Sequence, residues 1–296
     1  MLRIRESFTS PGAKLYLCST PIGNLQDVSF RLLATLREAD VVAAEDTRQT
    51  RKLLTHYEIH PKHLVSYHEH NARARGDEFV RWWDEGKSIA VVSDAGTPGI
   101  SDPGEHAVAL AIERGVPVVP IPGPSAVLAA VISSGFPAHP FTFVGFLPRE
   151  KKARAEQLKS LSHIPWVLVF YEAPHRLIQT MEAIGSQWPS REVALAKELT
   201  KRHETFVMGR PDEVLEYLKE YPPRGEYVLV VGPCPPAEEG ADGLTEEMSD
   251  AQKLEQAISL VHTSMGQGQP HAQAVRLAAE QTGARRKDVY QATLPK

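Results

Sequence analysis

Along the first 130 residues, short β-branched apolar runs alternate with stretches whose apolar residues recur three and four positions apart. Leu15-Tyr16-Leu17-Cys18, Val41-Val42-Ala43-Ala44, Leu64-Val65-Ser66, Ser88-Ile89-Ala90-Val91-Val92 and Val116-Pro117-Val118-Val119 read as strands. Ser29 to Arg37, Arg48 to Tyr57, Arg73 to Glu85 and Val127 to Ile132 read as helices. Strands interleaved with helices predict βαβ units and a mainly parallel sheet, because a parallel crossover needs a long connection to bring the chain back.

The pattern breaks at Ser133-Ser134-Gly135-Phe136-Pro137, which predicts a domain boundary. Residues 1–133 then form one α/β domain and residues 136–233 a second. In the second, Phe141-Thr142-Phe143-Val144, Trp166 to Tyr171, Val193-Ala194-Leu195-Ala196, Glu204 to Met208 and Gly225 to Val231 read as strands, with a charged helix from Ala153 to Leu161. Hairpin-length gaps between several of them predict a mixed sheet. Residues 234–248 are acidic and carry Pro and Gly, the composition of a linker. Residues 249–296 read as a helical domain with helices over Asp250 to Met265, Ala272 to Thr282 and Asp288 to Thr293. Arg285-Arg286-Lys287 heads the last of these, so the segment is either a helix-turn-helix module or a helical cap.

At 296 residues, with 42% hydrophobic and 24% charged positions, the composition is that of a soluble protein with an ample core. A net charge of -4 gives no global nucleic-acid signature, so a polyanion would have to meet a local patch. Cys18 and Cys234 form no C-x-x-C, which points to neither a metal site nor a disulfide framework. The opening Met1-Leu2-Arg3-Ile4-Arg5-Glu6 has no apolar targeting core, and no run approaches the ~18 residues of a membrane span. A cytoplasmic protein with no membrane partner is expected.

The chemistry gathers in loops that follow strands. Ser93 to Gly104 (SDAGTPGISDPG) packs three glycines, two prolines and two aspartates behind an apolar strand. Such a stiff, side-chain-poor loop is either a tight turn or a small-molecule site at the carboxyl end of a sheet. Pro120 to Ala126 (PIPGPSA) repeats the arrangement, with Ser125 where a helix N-cap belongs. Neither loop has the spacing of G-x-G-x-x-G or G-x-x-x-x-G-K-[ST], which argues against NAD or ATP. Ala44 to Arg51 (AEDTRQTR) places four charges directly after a buried strand, either a solvated run or a wall of the ligand crevice. In Tyr67-His68-Glu69-His70-Asn71 the i,i+2 histidines offer no zinc geometry, and His68 and Asn71 are read as candidates for hydrogen bonding to substrate. Tyr171 to Arg176 (YEAPHR) would aim cations toward the cleft, and Ala196 to Glu204 (AKELTKRHE) contains every side-chain type that serves as a base for an alcohol. Arg149, Lys151, Lys152 and Arg154 form the clearest basic patch, suited to phosphate contacts or to a solvated surface.

Set in order, STPIGNLQDVSFR, AAEDTRQT, SDAGTPGISDPG, IPGPSA, YEAPHR, AKELTKRHE and GEYVLVVG resemble the ribosomal RNA small subunit methyltransferase I family, which lies within the tetrapyrrole-methylase-like superfamily. The resemblance runs from about Leu15 to Gly232, and the Gln252 to Leu294 tail is similar to the family's helical domain. It implies two α/β domains of the tetrapyrrole methylase type with the cofactor cleft between them, plus a small C-terminal helical domain. It further implies transfer of a methyl group from S-adenosylmethionine to the ribose 2′-hydroxyl of a cytidine in 16S rRNA near the decoding centre. A homodimer without a metal, acting on 16S rRNA or the small ribosomal subunit, belongs to the same expectation.

Carried over residue by residue, the resemblance implies cofactor contacts from Asp94, Gly96, Thr97, Pro98 and Ile100, from Ser125 and Ala126, and from Tyr171 and Ala196. Lys197 and the last apolar strand would complete that pocket. Tetrapyrrole relatives carry Gly-Asp-Pro where this chain has Gly96-Thr97-Pro98, which moves the reading toward RNA. Glu45, Asp46 and Arg48 on one wall and Lys197, Glu198 and His203 on the other are the expected catalytic groups, with Glu198 as base. RNA backbone contacts are expected from Arg149, Lys151, Lys152, Arg154, His175 and Arg176, with Arg285, Arg286 and Lys287 as a second grip. The competing readings are a methylase of a tetrapyrrole or other small acceptor, and a non-catalytic RNA-binding ribosome assembly factor.

Overall fold

A computed structural model describes residues 12–235, 250–266 and 269–294. Residues 236–248 of the predicted linker, and the opening segment, lie outside the described residues. The first sheet contains β1 (Leu15–Cys18), β2 (Val41–Ala44), β3 (Leu64–Ser66), β4 (Ile89–Val92) and β5 (Val118–Ile121). Their order is β3-β2-β4-β1-β5 and every pairing is parallel. Helices cover both faces, which is why β2 and β4 are buried at all four positions and read as unbroken apolar runs. On one face α1 (Phe30–Glu38) and α2 (Thr47–His56) bury Leu32, Leu36, Leu53 and Leu54. On the other, α3 (Ala72–Asp84) and α4 (Glu105–Glu113) bury Phe79, Trp83, Ala107 and Ala111. The sequence pattern did not reveal α4, because EHAVALAIE is apolar on most of its surface and shows little periodicity.

After α5 (Ala126–Ser133) the second sheet is built from β6 (Phe141–Phe146), β7 (Val167–Glu172), β8 (Val193–Lys197), β9 (Thr205–Gly209) and β10 (Tyr227–Val231). The order is β6-β7-β10-β8-β9, with β6 parallel to β7 and the remaining pairs antiparallel. Between these strands lie α6 (Lys151–Ser160), α7 (Pro174–Gln187) and α8 (Pro211–Glu220). Both α7 and α8 open on a proline, which fits a first turn whose N–H has no helical partner anyway. The three helices bury Leu158, Leu177, Met181, Ile184, Val214 and Leu218 against one face.

The opposite face is covered from the first half of the chain. Val127, Ala130 and Val131 of α5, spaced to share one helical face, pack on Val167, Val169, Ala194, Ala196, Val228 and Val230. This apolar layer joins the two sheets into one compact unit that ends at Pro235. Within it Arg191 is 2% exposed and acts as an internal brace. Its guanidinium donates to the carbonyls of Gly232 (2.8 Å), Ile164 (3.1 Å) and Trp166 (2.6 Å) and lies over the Trp188 ring.

The C-terminal residues form a separate unit. There α9 (Asp250–Gly266), α10 (His271–Thr282) and α11 (Arg286–Ala292) enclose Ala257, Val261, Ala274, Val275, Ala278 and Val289. Gly283 ends α10 in the left-handed conformation at φ 70. Among the described residues no helix is long and apolar enough to cross a membrane.

Replacing Arg191 with Leu strands the buried Gly232 carbonyl and the partly buried acceptors at Ile164 and Trp166, and an unsatisfied buried acceptor costs about 1–3 kcal/mol. Urea unfolding of Arg191→Leu should show a loss of roughly 3 kcal/mol or more. A loss below about 1 kcal/mol would mean that water satisfies the carbonyls instead.

Candidate active site

Parallel pairing brings the carboxyl ends of β1, β4 and β5 to one edge, with β1 in the middle. The loops that leave them are tied together. Thr20 and Gly96 exchange backbone hydrogen bonds at 2.9 and 3.1 Å. The Ser19 and Thr97 hydroxyls meet at 3.0 Å, and Ser93 Oγ donates to the Gly96 carbonyl at 3.1 Å. Gly96 stands at φ 81, a conformation that side-chain-bearing residues rarely adopt, and this lets its backbone turn back on Thr20. Across the gap, β10 runs antiparallel to β7 and β8, so its first residue Tyr227 pairs with both Glu172 and Lys197 at their ends.

Between these two edges lies a cavity of about 380 Å³. Gly96, Thr97, Ile100, Ser101 and Asp102 form one wall, and Ser125 and Ala126 bring in the start of α5. Tyr171, Ala196, Leu199, Gly225 and Val228 form the opposite wall. Ser125 Oγ caps α5 by accepting the Leu128 N–H at 3.4 Å, and the Tyr171 hydroxyl accepts the Val127 N–H. Burial and the neighbouring Asp102 charge push the Tyr171 hydroxyl up to about 12, so it stays protonated.

Asp102 dominates the electrostatics of the cavity. Burial first, then the charges of Glu45 and Asp94, raise its carboxyl to about 7. Glu45 and Asp94 are themselves raised above the ordinary carboxylate range, chiefly by burial. They interlock, since Asp94 N–H donates to Glu45 Oε2 (3.2 Å) and Asp46 N–H donates to Asp94 Oδ1 (2.9 Å). Asp46 differs, because its ion pair with Arg48 and its capping of α2 hold it down at about 2. A ligand with a flat apolar part and a cationic group is complementary to this cavity, because apolar side chains line most of it and a carboxylate faces in.

The expected cofactor residues Gly96, Thr97, Ile100, Ser125, Ala126, Tyr171 and Ala196 meet on the cavity wall. Pro98 lies instead on an apolar hollow with Pro120 and Leu128, and Asp94 stands beside the mouth. Glu45, Asp46 and Arg48 gather next to Asp94, outside the wall. Lys197 ends β8 without reaching the cavity, and His203 lies exposed in the following loop. Glu198 is also off the wall. Its carboxylate accepts the Glu226 N–H and pairs with Lys201 at 2.9 Å, which holds it below the ordinary carboxylate range. A Cβ on Gly225 would come within 2.5 Å of Glu198 Oε1, so the bare backbone there is what lets this clasp close.

Two members of the expected RNA patch are braces rather than free cations. Arg154 is 5% exposed and donates to the Arg149 carbonyl, because it lies with Leu158 on the buried face of α6. Arg176 donates to the Leu147 carbonyl (2.6 Å) and pairs with the fully buried Glu172 carboxylate (3.3 Å). Arg149, Lys151, Lys152 and His175 remain exposed, as do Arg285, Arg286 and Lys287 in the C-terminal unit. Asp102, Ser101, Leu199 and Glu226, none of them among the expected site residues apart from their place in the motifs, all line the cavity. Asp102 is the second aspartate of the long loop, and an irregular loop has no period from which to read the direction of a side chain.

Sequence comparison matches residues 14–230 to the family described as Tetrapyrrole (Corrin/Porphyrin) Methylases. Proteins named Ribosomal RNA small subunit methyltransferase I share 43% identity in Halalkalibacterium halodurans (93% of each chain) and 42% in Bacillus subtilis (99% of this chain, 98% of that one). The chain belongs to the ribosomal RNA small subunit methyltransferase I family of tetrapyrrole methylases.

Solved structures agree on the fold of this methylase. A cobalt precorrin-4 methyltransferase superposes with a TM-score of 0.56 at 18% identity, covering 74% of this chain and 94% of its own. Diphthine synthase gives 0.58 at 15% identity, covering 75% and 90%. The uroporphyrin-III C-methyltransferase of Thermus thermophilus, solved in complex with S-adenosyl homocysteine, gives 0.51 at 20%, covering 74% and 97%.

The raised Asp102 carboxyl sets a pH dependence of stability. Its folded value of about 7 lies above the ~3.9 of an unfolded aspartate, so the folded state binds more protons between those values. Stability therefore falls as pH rises through that window. Asp102→Asn should raise the Tm of the ligand-free protein at pH 8 and flatten its decline from pH 5 to 8. A Tm profile identical to wild type would show that Asp102 is solvated and ordinary.

Proposed function

We propose that this protein uses S-adenosylmethionine to methylate small-subunit ribosomal RNA, at the ribose 2′-hydroxyl of a cytidine near the decoding centre. The observation that carries the proposal is the cavity at the paired sheet edges, apolar on most of its wall and faced by the Asp102 carboxylate. The names of the relatives support the RNA acceptor. When bound, S-adenosylmethionine supplies a methyl group activated by a sulfonium. Asp102 pairs with the positive charge of that donor, and Ile100, Leu199 and Val228 exclude water from its apolar part.

In-line transfer to an alcohol needs the hydroxyl proton removed as the new bond forms. Glu198 is unsuited to that role, because Lys201 and the Glu226 N–H already hold its carboxylate. Glu45 fits better. Burial raises its carboxyl above the ordinary carboxylate range, and its charge is felt at Asp102 on the cavity wall. The proposal therefore assigns the base to Glu45 and gives Glu198 the task of positioning Leu199 and Gly225. Exposed Arg149, Lys151, Lys152 and His175, and Arg285 to Lys287 in the tail, stay as RNA contacts.

Incubation with methyl-labelled donor and small ribosomal subunits, followed by nuclease digestion and mass spectrometry, should yield 2′-O-methylcytidine. Label on a base would overturn the ribose assignment, and label only on a small acceptor would overturn RNA. Glu45→Gln should lower kcat by ~10²–10⁴ while calorimetry shows unaltered donor binding. An unchanged kcat would remove Glu45 as base.

A further inference from the structure

Helix α2 holds its place with one face and presents cations with the other. Thr50, Leu53 and Leu54 are buried, so Arg48, Arg51, Lys52, Thr55 and His56 turn outward. The sequence has no carboxylate between Asp46 and Glu58. Arg48 folds back on Asp46, whereas Arg51 and Lys52 form no ion pair among the described residues, and Lys52 only donates to Gln49 at 2.9 Å. The five outward side chains line an open hollow of about 640 Å³.

This hollow continues to the cavity. A second hollow, of about 500 Å³, shares Lys52 with the first and shares Ile22, Ala95 and Glu226 with the cavity wall. A surface track therefore leads from the reacting centre along α2, whose ten residues span about 15 Å. The track also answers an electrostatic difficulty. Glu45, Asp94 and Asp102 crowd the cavity mouth and repel a polyanion, in a chain whose net charge is already -4. Free cations placed directly beside those carboxylates offset the repulsion where an incoming strand must pass.

We propose that this track binds the single-stranded RNA flanking the target nucleotide, with Arg51 and Lys52 neutralising backbone phosphates while the target sugar sits at the cavity. The assignment rests on the RNA reading above and adds Arg51 and Lys52, which are not among the expected RNA contacts. Phosphate contacts position a strand without reading its bases, so the track sets affinity rather than sequence choice.

The test is the double variant Arg51→Glu/Lys52→Glu, whose side chains are both exposed and form no ion pair among the described residues. Its melting temperature and its calorimetric affinity for S-adenosylmethionine should equal wild type. Its anisotropy-measured affinity for a fluorescent single-stranded oligoribonucleotide should fall at least ~10-fold, with a salt dependence shallower by about 1.4 in log–log slope, since each lost phosphate contact removes about 0.7. With small subunits as acceptor, KM should rise while kcat holds. Equal RNA affinity and equal salt slope in wild type and variant would overturn the track and leave the methylase reading standing. A wild-type protein that neither binds RNA nor methylates it would overturn both.

Discussion

The packing of α5 on the second sheet is the constraint on which the site depends. Val127, Ala130 and Val131 are nearly or fully buried against β7, β8 and β10, and full burial of one valine side chain contributes about 1.5 kcal/mol or more. The same helix begins at Ser125 and Ala126, which form the floor of the cavity. One apolar contact thus fixes both the distance between the two sheets and the place where the ligand rests. Tyr171 strengthens the arrangement by reaching from β7 to the first turn of α5.

Around that fixed frame, the walls hold conformations and charges that weaken the fold locally. Ser101 at φ 63 lies on one wall, and Glu198 at φ 51 and Thr200 at φ 65 bracket Leu199 on the other. A left-handed residue other than glycine costs of order 1–3 kcal/mol and persists only where its surroundings dictate it. Here the Thr20–Gly96 bridge and the Glu198–Lys201–Glu226 clasp supply that restraint. The crowded carboxylates Glu45, Asp94 and Asp102 are a second such cost, and a cationic ligand relieves it. The cavity is therefore least stable when empty, which suits a site meant to grip a positively charged donor.

The same carboxylates separate the two ends of the chemistry. A region that attracts a sulfonium repels RNA, so cations have to stand close by without entering the cavity. Helix α2 meets that need because it begins at Thr47, capped by Asp46, just beyond the Glu45 that follows β2, and turns Arg51 and Lys52 to the surface. Arg154 and Arg176 cannot share the task, since their guanidinium groups serve backbone carbonyls and the buried Glu172.

The alternation of apolar runs and helical periods sufficed for both sheets, the mixed character of the second, and the three helices of the tail. These features are local, since burial on two faces or one is written directly into residue spacing. The Gly/Pro loops were likewise legible, because only a strained backbone needs that composition. What the sequence left undecided was which charges meet. Glu198 follows a strand just as Glu45 does, yet Lys201 and the Glu226 N–H capture one while burial lifts the other. Arg154 and Lys152 are two residues apart, yet helical rotation buries the first and exposes the second. Asp102 acquires its charge balance partly from Glu45, which follows β2 and is distant in the chain, and partly from Asp94 at the other end of its own loop. Periodicity reports how a residue sits on its own element, whereas a carboxylate's protonation and a cation's freedom depend on neighbours that only the folded chain brings within reach.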